Sequence, residues 1–149
     1  MGLRAGYKQT EVGEIPDKWS VIRLSNLLDF RNGVNSDKNA YGSGIPFINV
    51  LEIINYSHLC SSQIPGKVNL ENHAVNQYIV RYGDLVFNRT SETQEELGLS
   101  SVYLDKEKVV FGGFVIRGRP KNDSIDAIYS GYAFRSQVIR SQIISMGQG

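Results

Sequence analysis

A chain of 149 residues, 41% hydrophobic and 21% charged, is one domain's worth and has the composition of an ordinary globule with a real core. No stretch approaches a membrane span, the opening MGLRAGYKQTEVGEIPDKW has no apolar signal core, and the single cysteine, Cys60, excludes an internal disulfide, so a reducing cytoplasm is the expected home. A net charge of +1 argues neither for nor against a nucleic-acid partner.

Residues 1–18 read as a polar arm, and Trp19 is expected to anchor that arm to the core. WSVIRL reads as a strand, and Ser25 as the cap of a short helical turn over NLLD. Asn32-Gly33 in FRNGVN is the strongest turn signal in the chain. GIPFINVLEI, residues 44–53, is apolar, rich in β-branched side chains and bounded by glycine, which predicts a strand. HLCSSQIPGKVNL predicts loop and short strand, and LENHAV a helical turn. YIVRYGDLVFNRT and LGLSSVYLD are the clearest strands, with Tyr82-Gly83-Asp84 as a turn. Thr93-x-x-Glu96 has capping-box spacing, so a helical turn is expected within the polar loop between them. KVVFGGFVIRGR predicts two short strands about Gly112-Gly113. From Ser124 onward the apolar residues Ile128, Tyr132, Val138, Ile139, Ile143 and Met146 recur at helical spacing, with Asp126 and Ser136 as N-caps. Strands followed by a helical end predict an α+β class: a compact, mostly antiparallel sheet domain with short helices and a C-terminal helical segment.

Catalytic chemistry is hard to find in these residues. His58-x-Cys60 with His73 lacks the paired spacing of a zinc site, and sequence proximity does not make Cys60 a nucleophile with a histidine base. Glu92, Glu95 and Glu96 read more simply as a charged helical turn than as an acid/base pair. No phosphate-binding loop, dinucleotide fingerprint or nucleophile elbow occurs, and the Asn-x-Ser/Thr triplets at Asn55, Asn88 and Asn122 are read as unglycosylated.

Charge is unevenly spread. Residues 92–107 hold five acidic and one basic side chain, whereas residues 108–149 hold six basic and two acidic, densest at RGRPK. Three polar, cationic loops stand out: Arg31, Asn32, Asn35, Ser36, Lys38 and Asn39; Asn88 to Gln94; and Arg117, Arg119, Lys121 and Asn122. Arginine, asparagine and glutamine are the side chains that read base edges, and the same types hold phosphates. The candidate DNA-binding residues are therefore Arg31, Asn35, Lys38, Asn88, Arg89, Thr90, Ser91, Arg117, Arg119 and Lys121. A simpler reading has Asn88 and Thr90 closing a strand end and Arg89 paired with Glu92 or Asp84.

The opening GYKQTEVGEIPDKW resembles the start of type I restriction–modification specificity subunits, matching at Tyr7, Lys8, Thr10, Gly13, Ile15, Pro16 and Trp19. RLSNLLDFRNGVN, GIPFINVLEI, YGDLVFNRTSETQEELGLSSV and RSQIISMGQG resemble the segments that follow in the N-terminal target recognition domain. The resemblance implies an arm over 1–18 and a single recognition domain over 19–149, reading one half of a bipartite double-stranded DNA target. It also implies partner modification (methyltransferase) subunits that use S-adenosylmethionine, and a restriction/translocase subunit that uses ATP and Mg. No cofactor, metal or catalytic residue is then expected in this chain. A full specificity subunit has two recognition domains and two long spacer helices, and the Pro-Pro-Leu-x-Glu-Gln lead into the spacer is missing. An excised half or a natural truncation is therefore expected. The alternative is a protein-interaction module without DNA readout, packing Ile139, Ile143 and Met146 on partner helices or driving self-association of the isolated half.

Overall fold

A computed structural model of the chain describes residues 5–11, 13–89, 93 and 95–146, with side chains described as far as 143. The element order is β1 (Tyr7–Thr10), β2 (Gly13–Pro16), α1 (Leu24–Leu27), β3 (Leu28–Asn32), β4 (Tyr41–Ile48), α2 (Val50–Asn55), β5 (His58–Leu59), β6 (Lys67–Val68), α3 (Asn72–Tyr78), β7 (Leu85–Asn88), β8 (Ser100–Tyr103), β9 (Val110–Phe111), β10 (Val115–Pro120), α4 (Ala127–Ala133) and α5 (Gln137–Met146). The class is α+β.

Three sheets form. β1 and β2 make an antiparallel hairpin within the arm, a five-stranded sheet runs β3-β10-β7-β8-β5, and a three-stranded sheet runs β6-β4-β9. Pairing is antiparallel except for β5 with β8 and β4 with β9. Side chains alternate across the large sheet, and both faces are covered. Val86, Tyr103 and Val115 pack with Ile48, Ile53, Val109 and Phe111 on the side of the small sheet. Leu85, Phe87 and Val102 pack with Leu28 and Phe134 on the side of the C-terminal helices. This two-sided burial explains why LVF carries no polar residue.

The structure departs from several sequence expectations. WSVIRL is not a strand, and Trp19, with 61% of its surface exposed, does not anchor the arm to the core. Ser25 lies inside α1, whose N-cap is Arg23. GIPFINVLEI divides at Asn49, whose N–H donates to the Glu52 carboxylate at 3.2 Å; that contact opens a helix and converts VLEI from strand to α2. Asn32-Gly33 makes no hairpin, because β3 pairs with the distant β10. Gly33 is needed for proximity: a Cβ there would lie 1.9 Å from the Gly112 carbonyl oxygen. Helical spacing correctly places α4 and α5, and Asp126 caps α4 by accepting from the Tyr129 N–H at 2.8 Å. The apolar side chains of α4 that set that spacing face outward, however. Ile128 and Tyr132 are exposed, and Ile125, Ala127 and Ala133 pack inward instead.

Gly33→Ala forces backbone apart at the β3–β9 junction and is expected to cost about 1–3 kcal/mol, measured by urea unfolding. A pH dependence follows from Asp105, whose carboxylate accepts from the Ser61 N–H at 2.9 Å and Ser61 Oγ at 2.8 Å. These bonds hold it down from 3.8 to about 2. A depressed folded value stabilises the fold above the unfolded value and loses that contribution as pH falls through the folded one. The stability gap between wild type and Asp105→Asn is therefore expected to be full above about pH 4 and to shrink toward pH 2.

Candidate nucleic-acid interface

β10 is antiparallel to both neighbours, so β3 and β7 run in the same direction beside it. Across the three strands Asn32, Ile116 and Phe87 form one row, and Arg31, Arg117 and Val86 form the next. The loops leaving β3 and β7 therefore emerge at one end of the sheet, where the Gly112–Val115 turn enters β10. The Arg89 N–H donates to the Phe114 carbonyl at 2.8 Å, and Arg89 Nη1 to the Gly113 carbonyl at 3.3 Å. Asn35 rests its carboxamide on Gly113, where a Cβ would lie 2.1 Å from Asn35 Oδ1. Arg31, Asn32, Asn35, Lys38 and Arg89 are all exposed.

Asn88 and Arg140 brace this end from beneath. Asn88 is 2% exposed and works inside the fold. Its N–H donates to Leu99 O at 2.8 Å, its carbonyl accepts from the Gly98 N–H at 3.0 Å, and Nδ2 donates to Glu96 O at 3.0 Å. Arg140 of α5 donates to Leu97 O at 2.5 Å and also to Glu95 O. The successive carbonyls of residues 95–97 are thus each met by a side-chain donor, which holds a turn over 95–98 against the helix, two residues beyond the Thr93–Glu96 spacing that predicted a helical turn. Burial pushes the Arg140 guanidinium below its ordinary range. Thr90, Ser91, Glu92 and Gln94 lie outside the described residues.

The third cationic loop lies elsewhere. Arg119 and Lys121 leave the far end of β10, about 17 Å along a strand of that length. Arg117 is 7% exposed, stacks over the Phe111 ring at 5.6 Å and donates to Ile79 O at 2.6 Å. Desolvation, then the neighbouring Arg119 charge, lowers its pKa from the usual arginine value. Arg119 forks onto Asp84, at 3.1 Å from Nε to Oδ1 and 2.8 Å from Nη2 to Oδ2, and also meets Ile79 O at 3.1 Å. Asp84 thus pairs with Arg119, not Arg89, and also caps its own turn through the Arg81 N–H at 2.9 Å. Lys121 reaches back to Ser25 O at 2.9 Å. Of the residues expected on DNA, the structure gathers Arg31, Asn35 and Arg89 at this end, leaves Lys38 exposed on the turn that leads into β4 beside the small sheet, and gives Asn88, Arg117, Arg119 and Lys121 internal bonds.

The residues weighed for chemistry are structural or scattered. His58 bonds Ser57 Oγ at 2.7 Å and Ile128 O at 2.9 Å, and its ring lies against Gly131, seating α4. Cys60 Sγ is 3.2 Å from Ser62 Oγ, and His73 is 3.3 Å from the Glu71 carboxylate. Among the described residues no group of three or more His, Cys, Asp or Glu side chains could hold a metal ion, and no helix is long and apolar enough to cross a membrane. Beside the interface an open cleft of about 350 Å³ is lined by Leu24, Phe30, Phe87, Ile116 and Ile143.

No protein-family model matches the chain. The chain is 28% identical over 131 residues to a protein assigned as the type I restriction enzyme MjaX specificity subunit of Methanocaldococcus jannaschii, covering 87% of this chain and 30% of that one. The crystal structure of the HsdS subunit from Thermoanaerobacter tengcongensis superposes with a TM-score of 0.63 over 96% of this chain and 33% of its own, at 16% identity. The fold is that of an HsdS domain. A second solved structure, from work on complex assembly and conformational transition of the type I restriction–modification system, gives a TM-score of 0.56 at 17% identity, covering 87% of this chain and 31% of that one. The chain spans about a third of the length of the specificity subunits it matches.

Sequence reasoning missed Phe114 and Arg140. Phe114 is 63% exposed at the tip of the turn between β9 and β10, and its only signal is an aromatic directly after Gly112-Gly113. Arg140 sits among the apolar spacings of α5 and gives no signal of its own. In this HsdS-like domain, Asp84→Ala leaves Arg119 beside Arg117 without its counterion. A loss of about 3 kcal/mol in urea unfolding is expected, the low end for breaking a buried pair because Arg119 keeps 27% exposure. Arg89→Ala, at an exposed position, is expected to stay within about 0.5 kcal/mol of wild type.

Proposed function

We propose that this chain is a target recognition domain of a type I restriction–modification specificity subunit and reads part of a double-stranded DNA target with the end of its large sheet. The supporting observation is convergence: Arg31, Asn35 and Arg89, from two segments far apart in sequence, share one exposed sheet end in a fold similar to HsdS. Arg89 is the base-reading residue. Its guanidinium is oriented by the Gly113 carbonyl, and a fixed fork suits the two acceptors of guanine. Asn35 carries the donor and acceptor that adenine requires. Arg31 and Lys38 neutralise phosphates.

Methylation and cleavage then belong to partner subunits, which carry S-adenosylmethionine, ATP and Mg; this chain supplies the address, and no catalytic residue is assigned to it. Its working place is the cytoplasm, with the DNA. The interaction-module reading loses much of its surface, because Ile139 packs inward with the Phe134 cluster and Ile143 lies against Gly98 beneath the turn.

Selection of the chain against random duplex DNA, followed by titration at several salt concentrations, tests the reading. Arg89→Ala is expected to cost about 1–3 kcal/mol on the enriched sequence and to relax preference at one position. Lys38→Ala should weaken all sequences alike and make the log–log salt slope shallower by about 0.9. Salt-insensitive binding, or none, would sink the assignment.

A further inference from the structure

We propose that Phe114 is a specificity-determining residue whose ring contacts the 5-methyl group of a thymine in the major groove. This role rests on the sheet end being the DNA-facing surface. The ring is 63% exposed, yet the backbone carrying it is fixed on every side. Val115 donates to Gly112 O at 3.0 Å, closing the turn, and Gly112 donates to Ile48 O at 2.9 Å. The carbonyls of Gly113 and Phe114 both accept from Arg89. Val115, the next residue, is fully buried among Ile48, Val109 and Phe111. The turn therefore cannot rotate its aromatic tip into the core, and the ring stands in water until something covers it.

Charge and chemistry indicate the cover. The exposed cations Arg31 and Arg89 share this end, which favours a polyanion over an apolar protein face. Phe114 lies between Asn35, packed on the preceding residue, and Arg89, bonded to its own carbonyl. Amide and guanidinium groups address adenine and guanine edges by hydrogen bonds. A phenyl ring has no such bond to give, and the apolar feature on a major-groove base edge is the thymine methyl group. The three side chains together form a complementary reading set.

The test uses a duplex enriched by the chain from a random pool, resynthesised with deoxyuridine in place of each thymine in turn. Deoxyuridine keeps every hydrogen bond and removes only the methyl group. One position is expected to weaken wild-type binding about fourfold, the equivalent of about 0.8 kcal/mol for one buried methyl group. The same replacement should leave Phe114→Ala unaffected. Equal melting temperatures of the two proteins will confirm that an exposed ring was removed without unfolding. An enriched motif with no methyl dependence, or equal losses in both proteins, overturns the role of Phe114 and leaves the DNA-reading assignment standing. Absence of salt-sensitive binding by the wild type overturns both.

Discussion

Strand β10 hydrogen-bonds β3 along one edge and β7 along the other, antiparallel to each, and the organisation of this molecule follows from that double pairing. Two segments separated by more than fifty residues are made parallel neighbours without bonding one another. Their outgoing loops must leave at the same end, and the turn that feeds β10 must arrive between them. The site needs no active-site cavity. It is a consequence of strand order, with Arg31 and Asn35 on one side, Arg89 on the other and Phe114 between.

Basic side chains tie the C-terminal region to main-chain carbonyls. Residues 108–149 contain six basic side chains, Lys108, Arg117, Arg119, Lys121, Arg135 and Arg140. All but Lys108 donate to main-chain carbonyls: Arg117 and Arg119 to Ile79, Lys121 to Ser25, Arg135 to Ser100 and Tyr56, and Arg140 to Leu97. A guanidinium offers several donors in a rigid fork and so satisfies orphan carbonyls at turns and strand ends that no backbone N–H can reach. Desolvation lowers the pKa of Arg117, Arg135 and Arg140, and the hydrogen bonds offset part of that cost. The basic excess of the C-terminal region is therefore largely framework, with little of it free as a patch.

This is also where sequence reading reached its limit. Apolar, β-branched runs bounded by turn residues identified β7, β8 and β10, and helical spacing identified α4 and α5, although in α4 the side chains that set the spacing face outward. Resemblance across almost the whole chain pointed to the architecture that structural comparison supports. Arg89 and Arg119 could not be distinguished as letters. One is exposed after β7, and the other is bound to Asp84, thirty-five residues away in sequence, through a pairing that only strand order creates. The single-strand reading of GIPFINVLEI failed for a local reason, since the Asn49–Glu52 contact overrides the β-branched run that follows it. Trp19 failed because a large apolar ring was assumed to seek the core, whereas this one remains at the surface.

The turn beneath the interface is gripped by its main chain. Asn88 and Arg140 hold the carbonyls of residues 95, 96 and 97, and a carbonyl is the same whichever side chain its residue carries. The grip is indifferent to the loop's sequence, so side chains there are open to exchange without loss of the scaffold that presents them. A turn built this way separates what must stay fixed from what is free to drift. In the proposed DNA-reading role, point changes at residues 95–97 would alter what is read, while the cost of folding stays with Asn88, Arg140 and the strands behind them.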